Sequence, residues 1–360
     1  MKNFIFVIFL LTISFGCKKQ SKIELKFLDE FVLADSLQFK NTVIGGLSGV
    51  DYANQKFYFI VDDARKPRFL TANISIKNDT INNISFKNVI HLKDSTELYY
   101  KENALDLESI FVNEKTQEIN FISEGSIRKN KKPLVFKTTL TGGFLIDFKL
   151  PKSFKKLENI KHNAVFEASS RSVKNNGFWV AMEGVLKSDG REPTFKKTKS
   201  PIRITYFNNK TNKATKQFAY QLDSITKPAK GNINLNGVTA ILEYKENSFF
   251  IVERTYQNGY GAYGNTIKIY NAYIDKETTN IINYTSLKEA NYIPLKKKLL
   301  FNFESVKSKL TEGIIDNIEG ITFGPKLSNG NQSLILVSDD NFQIYGKQLN
   351  QFILLEIKNK

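Results

Sequence analysis

Five segments of this sequence repeat one plan, and this repetition constrains the fold more than any other feature. Each segment has a short apolar strand with a central acidic or hydroxyl residue, a polar turn, and a second apolar strand that ends in an acid. Repetition of this kind indicates an architecture built from one supersecondary unit. The first strands of the five segments are residues 46–50, 106–110, 165–169, 237–241 and 317–321. The second strands end at Asp62, Glu124, Glu183, Glu253 and Asp339.

Two further strand-like runs lie between successive hairpins and complete a four-stranded unit. Residues 134–138 and 144–150 follow the second hairpin, and residues 202–207 and 216–222 follow the third. The runs are rich in β-branched and aromatic residues, which favour strands. Four strands per unit is the pattern of a propeller blade. We therefore predict an all-β chain that folds as a β-propeller with five four-stranded blades.

The two ends of the domain predict how the ring closes. Residues 351–357 leave the fifth blade one strand short, and residues 23–33 form a spare strand at the other end of the domain. Pairing of these two strands would complete the blade and close the ring. A sixth, degenerate blade in the long gap between Glu253 and Glu319 stays open at this stage. An irregular sandwich is the alternative fold, but it does not explain the repeat.

Acidic residues occupy the positions that a blade directs toward one mouth of the central channel. The innermost strand begins and its antiparallel neighbour ends on the same face of the ring, so acids at those two places converge. Crowded carboxylates repel one another unless a hard cation such as calcium, or a basic side chain, balances them. The predicted ring contains Asp62, Glu108, Glu124, Glu167, Glu183, Glu253, Glu319 and Asp339.

Three arginines follow the closing acid of their repeat within four residues. They are Arg65, Arg128 and Arg254. Arginine forms bidentate bonds to carboxylates and to phosphates, and lysine does not replace it in that role. Two interpretations stay open: the arginines bind an anionic substrate beside a metal site, or they pair with the acids and lock the blades together.

Several of these segments resemble the phytase-like family, which is described as having the esterase-like activity of phytase. Residues 316–325 read Asp-Asn-Ile-Glu-Gly-Ile-Thr-Phe-Gly-Pro and are followed by Leu-Val-Ser-Asp-Asp-Asn-Phe at 336–342. Residues 45–49 and 106–110 match earlier motifs of that family, and the resemblance extends over about residues 40–345. It implies a β-propeller that hydrolyses phosphate or carboxylic esters. Calcium enters by analogy with the calcium-dependent phytase propellers, which form a different sequence family.

Two functional hypotheses follow. In the first, the protein hydrolyses phosphate or other esters of small molecules, with calcium as a cofactor. Glu108, Glu319 and Asp339 are then the catalytic candidates, and Arg65, Arg128 and Arg254 bind substrate. The metal-binding candidates are Asp62, Glu124, Glu167, Glu183 and Glu253. In the second hypothesis, a non-catalytic propeller binds a ligand or an envelope protein, and the acids are structural.

Residue usage argues against several other chemistries. The two histidines, His91 and His162, form neither a zinc-ligand pair nor the cluster of a histidine phosphatase. Residues 46–49 are one residue short of a nucleophile elbow. The net charge of +16 comes from lysines scattered along the chain, without a nucleic-acid motif. We expect a monomer that does not bind nucleic acid.

The first residues predict export and a lipid anchor. Residues 1–16 carry an early lysine, a short apolar core and small residues, as a signal peptide does. Cys17 is the one cysteine of the sequence, and Ser14-Phe15-Gly16-Cys17 resembles a bacterial lipobox. We predict a lipidated Cys17 within a tether of residues 17–22, ahead of a propeller domain of residues 23–360. Acyl chains would hold the protein at a membrane of the cell envelope, on the periplasmic side or the cell surface. A plain secretory signal is the alternative.

Overall fold

The computed structural model describes residues 23–92 and 98–359. The predicted signal peptide, the lipidation site Cys17 and the tether lie outside the described residues. None of the helices in the described ranges has the length and apolarity needed to cross a membrane.

The described chain folds into five four-stranded antiparallel sheets arranged around one axis. It starts with β1 (Ile23–Leu33) and a small hairpin of β2 (Gln38–Phe39) and β3 (Thr42–Val43). Blade 1 contains β4 (Gly49–Ala53), β5 (Lys56–Val61), β6 (Arg68–Lys77) and β7 (Thr80–His91). Blade 2 contains β8 (Leu107–Asn113), β9 (Glu118–Ser123), β10 (Leu134–Thr139) and β11 (Phe144–Asp147).

The remaining three blades follow in chain order. Blade 3 contains β12 (Phe166–Arg171), β13 (Gly177–Met182), β14 (Pro201–Asn208) and β15 (Lys213–Gln221). Blade 4 contains β16 (Asn234–Lys245), β17 (Ser248–Gln257), β18 (Asn265–Tyr273) and β19 (Lys296–Asn302). Blade 5 contains β20 (Ile318–Lys326), β21 (Gln332–Ser338), β22 (Asn350–Asn359) and the N-terminal β1.

Helices occur only as short connections in the described ranges. One α-helix, α1, spans Leu98–Glu102. The 3₁₀ helices are Ile127–Lys129, Lys152–Phe154, Leu157–Asn159, Gly261–Tyr263, Phe303–Lys309, Thr311–Gly313 and Asn341–Gln343.

The ring closes through the pairing of the two ends of the domain. β1 runs antiparallel to β22 from the Ile23–Asn359 pair to the Leu33–Asn350 pair. The innermost strands β4, β8, β12, β16 and β20 contact one another in sequence around the axis, and β20 contacts β4. This pairing completes blade 5 and joins the two ends of the domain. The predictions of an all-β fold, five blades and terminal closure are confirmed.

Aromatic side chains fill the space between neighbouring blades. Phe59 of blade 1 meets Phe352 of blade 5 edge-on, with ring centroids 5.6 Å apart. Phe111 of blade 2 packs on Phe178 of blade 3, with centroids 4.9 Å apart. Strands buried on both faces explain why the sequence shows apolar runs rather than strict alternation.

The long gap between the fourth and fifth repeats is an insertion and not a sixth blade. The segment between β18 and β19 folds back onto the outer strand of blade 3, where Ile281 and Leu287 pack on Ala219. Ile281 N donates to Gln217 O at 2.7 Å, and Leu295 N donates to Ala219 O at 2.8 Å. The described chain therefore has five blades, and the alternative of six is excluded.

Candidate active site

A β-bulge recurs at one position of the innermost strands and directs side chains toward the axis. In blades 2, 3, 4 and 5 the register between the first two strands shifts at Glu108, Glu167, Thr239 and Glu319. Bulges re-aim a side chain and are common beside active sites. Ser48, just before β4, is the equivalent residue of blade 1. The central acidic or hydroxyl residue of each sequence repeat is thus the bulge residue.

Ser48 and Thr239, the two hydroxyl residues at these positions, bind the strands that carry Glu108 and Glu319. Ser48 Oγ donates to Leu107 O at 3.1 Å, and Thr239 Oγ1 donates to Ile318 O at 2.7 Å. Each acceptor immediately precedes a bulge glutamate of the next blade. The hydroxyls therefore link neighbouring blades, and the three glutamates line the cavity at this mouth of the channel.

A second set of side chains comes from the ends of the neighbouring strands. The backbone N–H groups of Asp62, Glu124, Glu183 and Asp339 donate, at 2.8–2.9 Å, to the carbonyl two residues before the bulge residue of the same blade. In blade 4 the register places Arg254, and not Glu253, opposite the corresponding Gly237. The second set is therefore Asp62, Glu124, Glu183, Arg254 and Asp339.

The structure does not bring Glu253 into the ring of acids, which corrects the sequence prediction. A strand turns successive side chains to opposite faces, so Glu253 points away from Arg254. Tyr220 Oη and Lys297 Nζ each donate to Glu253 Oε1 at 2.5 Å, and Asn236 Nδ2 donates to Oε2 at 3.1 Å. Glu253 thereby ties blade 3 to blade 4 and is 2% exposed.

Of the three predicted substrate-binding arginines, the structure brings only Arg254 to the acids. Its Nη1 donates to Glu319 Oε1 at 2.9 Å and its Nη2 to Glu183 Oε1 at 3.2 Å. Arg65 is 95% exposed and pairs with Asp63 at 3.6 Å. Arg128 lies in an exposed 3₁₀ helix, and neither Arg65 nor Arg128 lines the cavity.

The acids form two triads suited to a cation. In each triad, three carboxylate oxygens, one from each residue, lie within 4.8 Å of one another. The first triad is Asp62, Asp106 and Glu108, and the second is Glu124, Glu167 and Glu183. Asp106 was missed by the sequence reasoning, although it stands directly across the hairpin from Glu124. Glu319 and Asp339 complete the acid lining beside the triads.

Burial and mutual repulsion raise the pKa of most of these carboxyl groups. Burial raises the pKa of Glu167 well above its usual range, and the nearby Glu183 and Glu319 raise it further. The pKa values of Asp62, Glu108, Glu124 and Asp339 are raised well above their usual range by the same two causes, burial being the larger. Burial raises the pKa of Glu319 to about 8, although Arg254 opposes that rise. These raised pKa values indicate that the cluster has too little positive charge to balance its carboxylates.

The donor set of the cavity fits a hard cation. Within residues 23–92 and 98–359, the possible metal ligands that line the cavity are carboxylates and amides, without a histidine or cysteine. Buried amide oxygens of Asn265, Asn317 and Gln348, which all line the cavity, accept no hydrogen bond. Asn317 Nδ2 donates to Glu319 at 2.9 Å, which leaves Oδ1 as the unpaired atom. Carboxylate and amide oxygens are the ligands that Ca²⁺ prefers.

The two mouths of the channel differ in their chemistry. The acidic mouth holds a cavity of about 520 Å³. The opposite mouth holds about 190 Å³, and its acids Asp51 and Glu243 accept hydrogen bonds from Arg171 and from backbone N–H groups. There Asp51 accepts from Arg171 Nη2 at 3.2 Å and from Val112 N at 2.8 Å, which links blades 1, 2 and 3. Only the acidic mouth combines volume with unbalanced charge, so we take it as the candidate active site.

The family model for the esterase-like activity of phytase matches residues 42–342. The chain belongs to the phytase-like family. The match covers both strands of every acidic hairpin, so the acid lining of the cavity lies within the family's domain. A comparison with curated protein sequences gives no match.

Solved structures similar to this phytase-like chain have low sequence identity to it. An exo-β-1,3-galactanase from Phanerochaete chrysosporium is 12% identical, with a TM-score of 0.47, and 90% of this chain and 63% of the galactanase chain are covered. The phytase-like chain therefore spans less than two thirds of that protein. The major allergen Mala s 1 of Malassezia sympodialis is 11% identical, with a TM-score of 0.43, and the coverage is 90% and 82%.

The acid cluster predicts an unusual pH dependence of stability when cations are removed. A carboxyl group whose folded pKa exceeds its unfolded pKa stabilises the fold at low pH, and this contribution is lost as the pH rises through the folded pKa. In EDTA we expect the melting temperature of the phytase-like domain to fall by more than about 5 °C between pH 5 and pH 8. The window runs from the ordinary glutamate pKa of 4.5 to the value of about 8 for Glu319.

Calcium is expected to reverse this loss. Added at pH 8, calcium should raise the melting temperature, because binding to the folded state alone stabilises it by mass action. Magnesium at the same concentration is the control, since its smaller ion retains water more strongly. A melting temperature in EDTA that stays constant or rises from pH 5 to pH 8 would contradict the raised pKa values.

Proposed function

We propose that this protein is a calcium-dependent hydrolase of phosphate esters that acts at the acidic mouth of its channel. The observation that carries the proposal is the convergence of two carboxylate triads, of which five acids line one open cavity. In a phytase-like domain, such a site supports metal-assisted ester hydrolysis better than a purely structural role, because structural ion pairs are normally balanced.

The triad of Asp62, Asp106 and Glu108 and the triad of Glu124, Glu167 and Glu183 would hold calcium. Bound there, calcium would supply positive charge that polarises a phosphoryl oxygen and lowers the pKa of bound water. The first triad comes from blades 1 and 2 and the second from blades 2 and 3, while Glu319 and Asp339 of blade 5 line the same cavity. A substrate would therefore bind between these blades.

Glu319 is assigned to hold the proton that the leaving group needs. Its Oε1 accepts hydrogen bonds from Arg254 at 2.9 Å and from Asn317 at 2.9 Å. The proton therefore belongs on Oε2. Without calcium, burial raises the pKa of Glu319 to about 8, which favours the protonated form that a general acid needs. Arg254 orients this carboxyl group and also contacts Glu183, so it acts as an internal counter-ion.

Asp339 is assigned to orient the attacking water. Its Oδ1 accepts from Asn341 N at 2.6 Å, which fixes the carboxyl group at the cavity wall. The other oxygen would then hydrogen-bond a water molecule and align it for attack. Glu319 and Asp339 thereby divide the acid and water-positioning tasks between neighbouring strands of blade 5.

The test is a calcium titration of the purified protein with p-nitrophenyl phosphate and phytate as substrates. We expect phosphate release in calcium from at least one of the two esters, no release in EDTA, and recovery when calcium is restored. An absence of phosphate release from both esters at saturating calcium would overturn the hydrolase proposal. A binding propeller would then be the working account.

A location in the cell envelope is part of the same proposal. The lipobox-like sequence that ends at Cys17 supports an acyl anchor. Replacing Cys17→Ser should move the protein from the membrane fraction to the soluble fraction. Unchanged membrane association of that variant would exclude this anchor.

A further inference from the structure

Exposed apolar side chains from the neighbouring blades 4 and 5 form two walls of the acidic cavity. Ile233 and Leu235, where β16 begins, are 46% and 48% exposed. Tyr345, in the loop between β21 and β22, is 78% exposed. All three line the cavity together with the carboxylates. Exposed apolar groups that flank a polar cavity indicate a surface that a ligand covers.

The wall that carries Tyr345 is held in place by its backbone. Asn341, Phe342 and Gln343 all have positive φ, of 45°, 48° and 61°. Asp340 Oδ1 accepts from Gly46 N at 2.7 Å and from Phe342 N at 3.2 Å. Three successive left-handed residues persist only where the surroundings enforce them, so the loop is built to hold Tyr345 at the rim.

The wall that carries Ile233 and Leu235 is fixed in a comparable way. Ile233 N donates to Asn258 Oδ1 at 2.9 Å, and Asn258 N donates to Ile233 O at 3.1 Å. Leu235 follows on β16, where its pairing with Tyr256 sets its direction. Both walls therefore present apolar side chains from ordered backbone, which keeps the entropic cost of binding low.

The charges of the cavity disfavour a substrate with many phosphates. Eight carboxylate side chains line it, among residues 23–92 and 98–359, against Arg254 and Lys347 as the basic side chains. Arg254 is engaged by Glu183 and Glu319. Lys347 Nζ donates to both carboxylate oxygens of Glu312 at 2.6 Å. Calcium in the triads would balance one phosphate, but Arg254 and Lys347 are already paired with carboxylates, so the repulsion grows with each further phosphate.

We infer that the site takes phosphate monoesters with an aryl-sized apolar group, which binds between Ile233, Leu235 and Tyr345, and that it rejects polyphosphorylated substrates such as phytate. This inference rests on the proposed hydrolase function. The single phosphate lies against the triads, and the apolar group lies at the rim. The rim residues thus set specificity and do not touch the reacting atoms.

Binding of non-hydrolysable phosphonates tests the inference apart from turnover. In saturating calcium, calorimetric titration should show that phenylphosphonate binds about tenfold more tightly than methylphosphonate, because the rim covers the ring. In the variant Ile233→Ser/Leu235→Ser/Tyr345→Ser the ratio should fall to about one. Leu299→Ser is the matched control, since Leu299 is 47% exposed but lies away from the cavity, and it should keep the tenfold ratio.

The outcomes separate this inference from the proposed function. Equal binding of the two phosphonates to the unmodified protein, or tighter binding of inositol hexakisphosphate than of phenylphosphonate, would overturn the inference. A tenfold preference that the rim variant abolishes would support it even if no ester is hydrolysed, in which case the hydrolase proposal alone fails. The single variant Tyr345→Ser serves if the triple variant does not fold.

Discussion

Replacing Arg203→Leu is expected to lower the free energy of unfolding by about 3–5 kcal/mol, because it leaves a buried charge without its partner. The side chains of Arg203 and Asp189 are both 0% exposed. Arg203 Nε and Nη2 donate to Asp189 at 2.6 and 2.8 Å, and Nη1 donates to Tyr284 O at 2.9 Å. The substitution leaves the Asp189 carboxylate buried without its counter-ion and also frees the insertion between β18 and β19.

Urea denaturation, followed by tryptophan fluorescence, measures this loss. The single tryptophan, Trp179, is buried in blade 3, the blade that carries Arg203. Arg128→Leu is the matched control, because Arg128 lies in an exposed 3₁₀ helix, and its effect should stay within about 0.5 kcal/mol. A midpoint for Arg203→Leu equal to that of the control would show that the pair does not stabilise the domain.

The architecture was predictable because the repeat unit and the blade coincide. Each hairpin of the sequence pattern forms the first two strands of a blade, and the spare runs form the third and fourth. The terminal strand pairing followed from the same count, since a blade that lacks one strand needs a partner. The insertion after β18 has no partner repeat, and its place on blade 3 depends on contacts such as Arg203–Tyr284 that no periodicity reports.

The site was predictable at its bulge residues and less so at the strand ends. Glu108, Glu167 and Glu319 are the central residues of their repeats, and all three line the cavity. In the fourth repeat, Phe-Ile-Val-Glu-Arg aligns without a gap on Phe-Ile-Ser-Glu-Gly, which equates Glu253 with Glu124. The strand pairing shifts this repeat by one residue and brings Arg254 to the axis instead. A shift of one residue reverses the face of a strand, and the sequence pattern contains no signal for it.

The positions of the arginines close to the acids in sequence also did not predict where their side chains lie. Arg65 and Arg128 lie in turns after the closing acids, where the chain has already left the cavity. Asp106 was overlooked because its position in the other repeats is taken by glycine, valine or asparagine, so the repeat shows no preference for an acid there. Its role depends on the pairing of Asp106 O with Glu124 N at 2.9 Å.

Replacing Glu167→Gln should lower calcium-dependent turnover at least 100-fold, because it removes one carboxylate of a triad that would bind calcium. Within residues 23–92 and 98–359, no hydrogen bond holds the Glu167 carboxyl group, and its neighbours Glu124, Glu183 and Glu319 all raise its pKa. Removing its charge therefore relieves repulsion. In EDTA at pH 8 the variant should melt at a higher temperature than the unmodified protein, and calcium should raise that temperature less. Loss of turnover together with loss of stability in EDTA would contradict a metal site.

Glu253→Gln gives the matched control, because Glu253 is an equally buried glutamate that the structure places outside the cavity. Glutamine cannot accept at both side-chain ends, so the hydrogen bonds from Tyr220, Lys297 and Asn236 to Glu253 are partly lost. We expect this variant to lose about 1–3 kcal/mol of stability in calcium and in EDTA alike, with turnover retained. The same chemical change then has opposite effects on stability at two glutamates. An acid that stabilises the fold only when calcium is bound belongs to a binding site, whereas an acid that stabilises it under both conditions belongs to the framework.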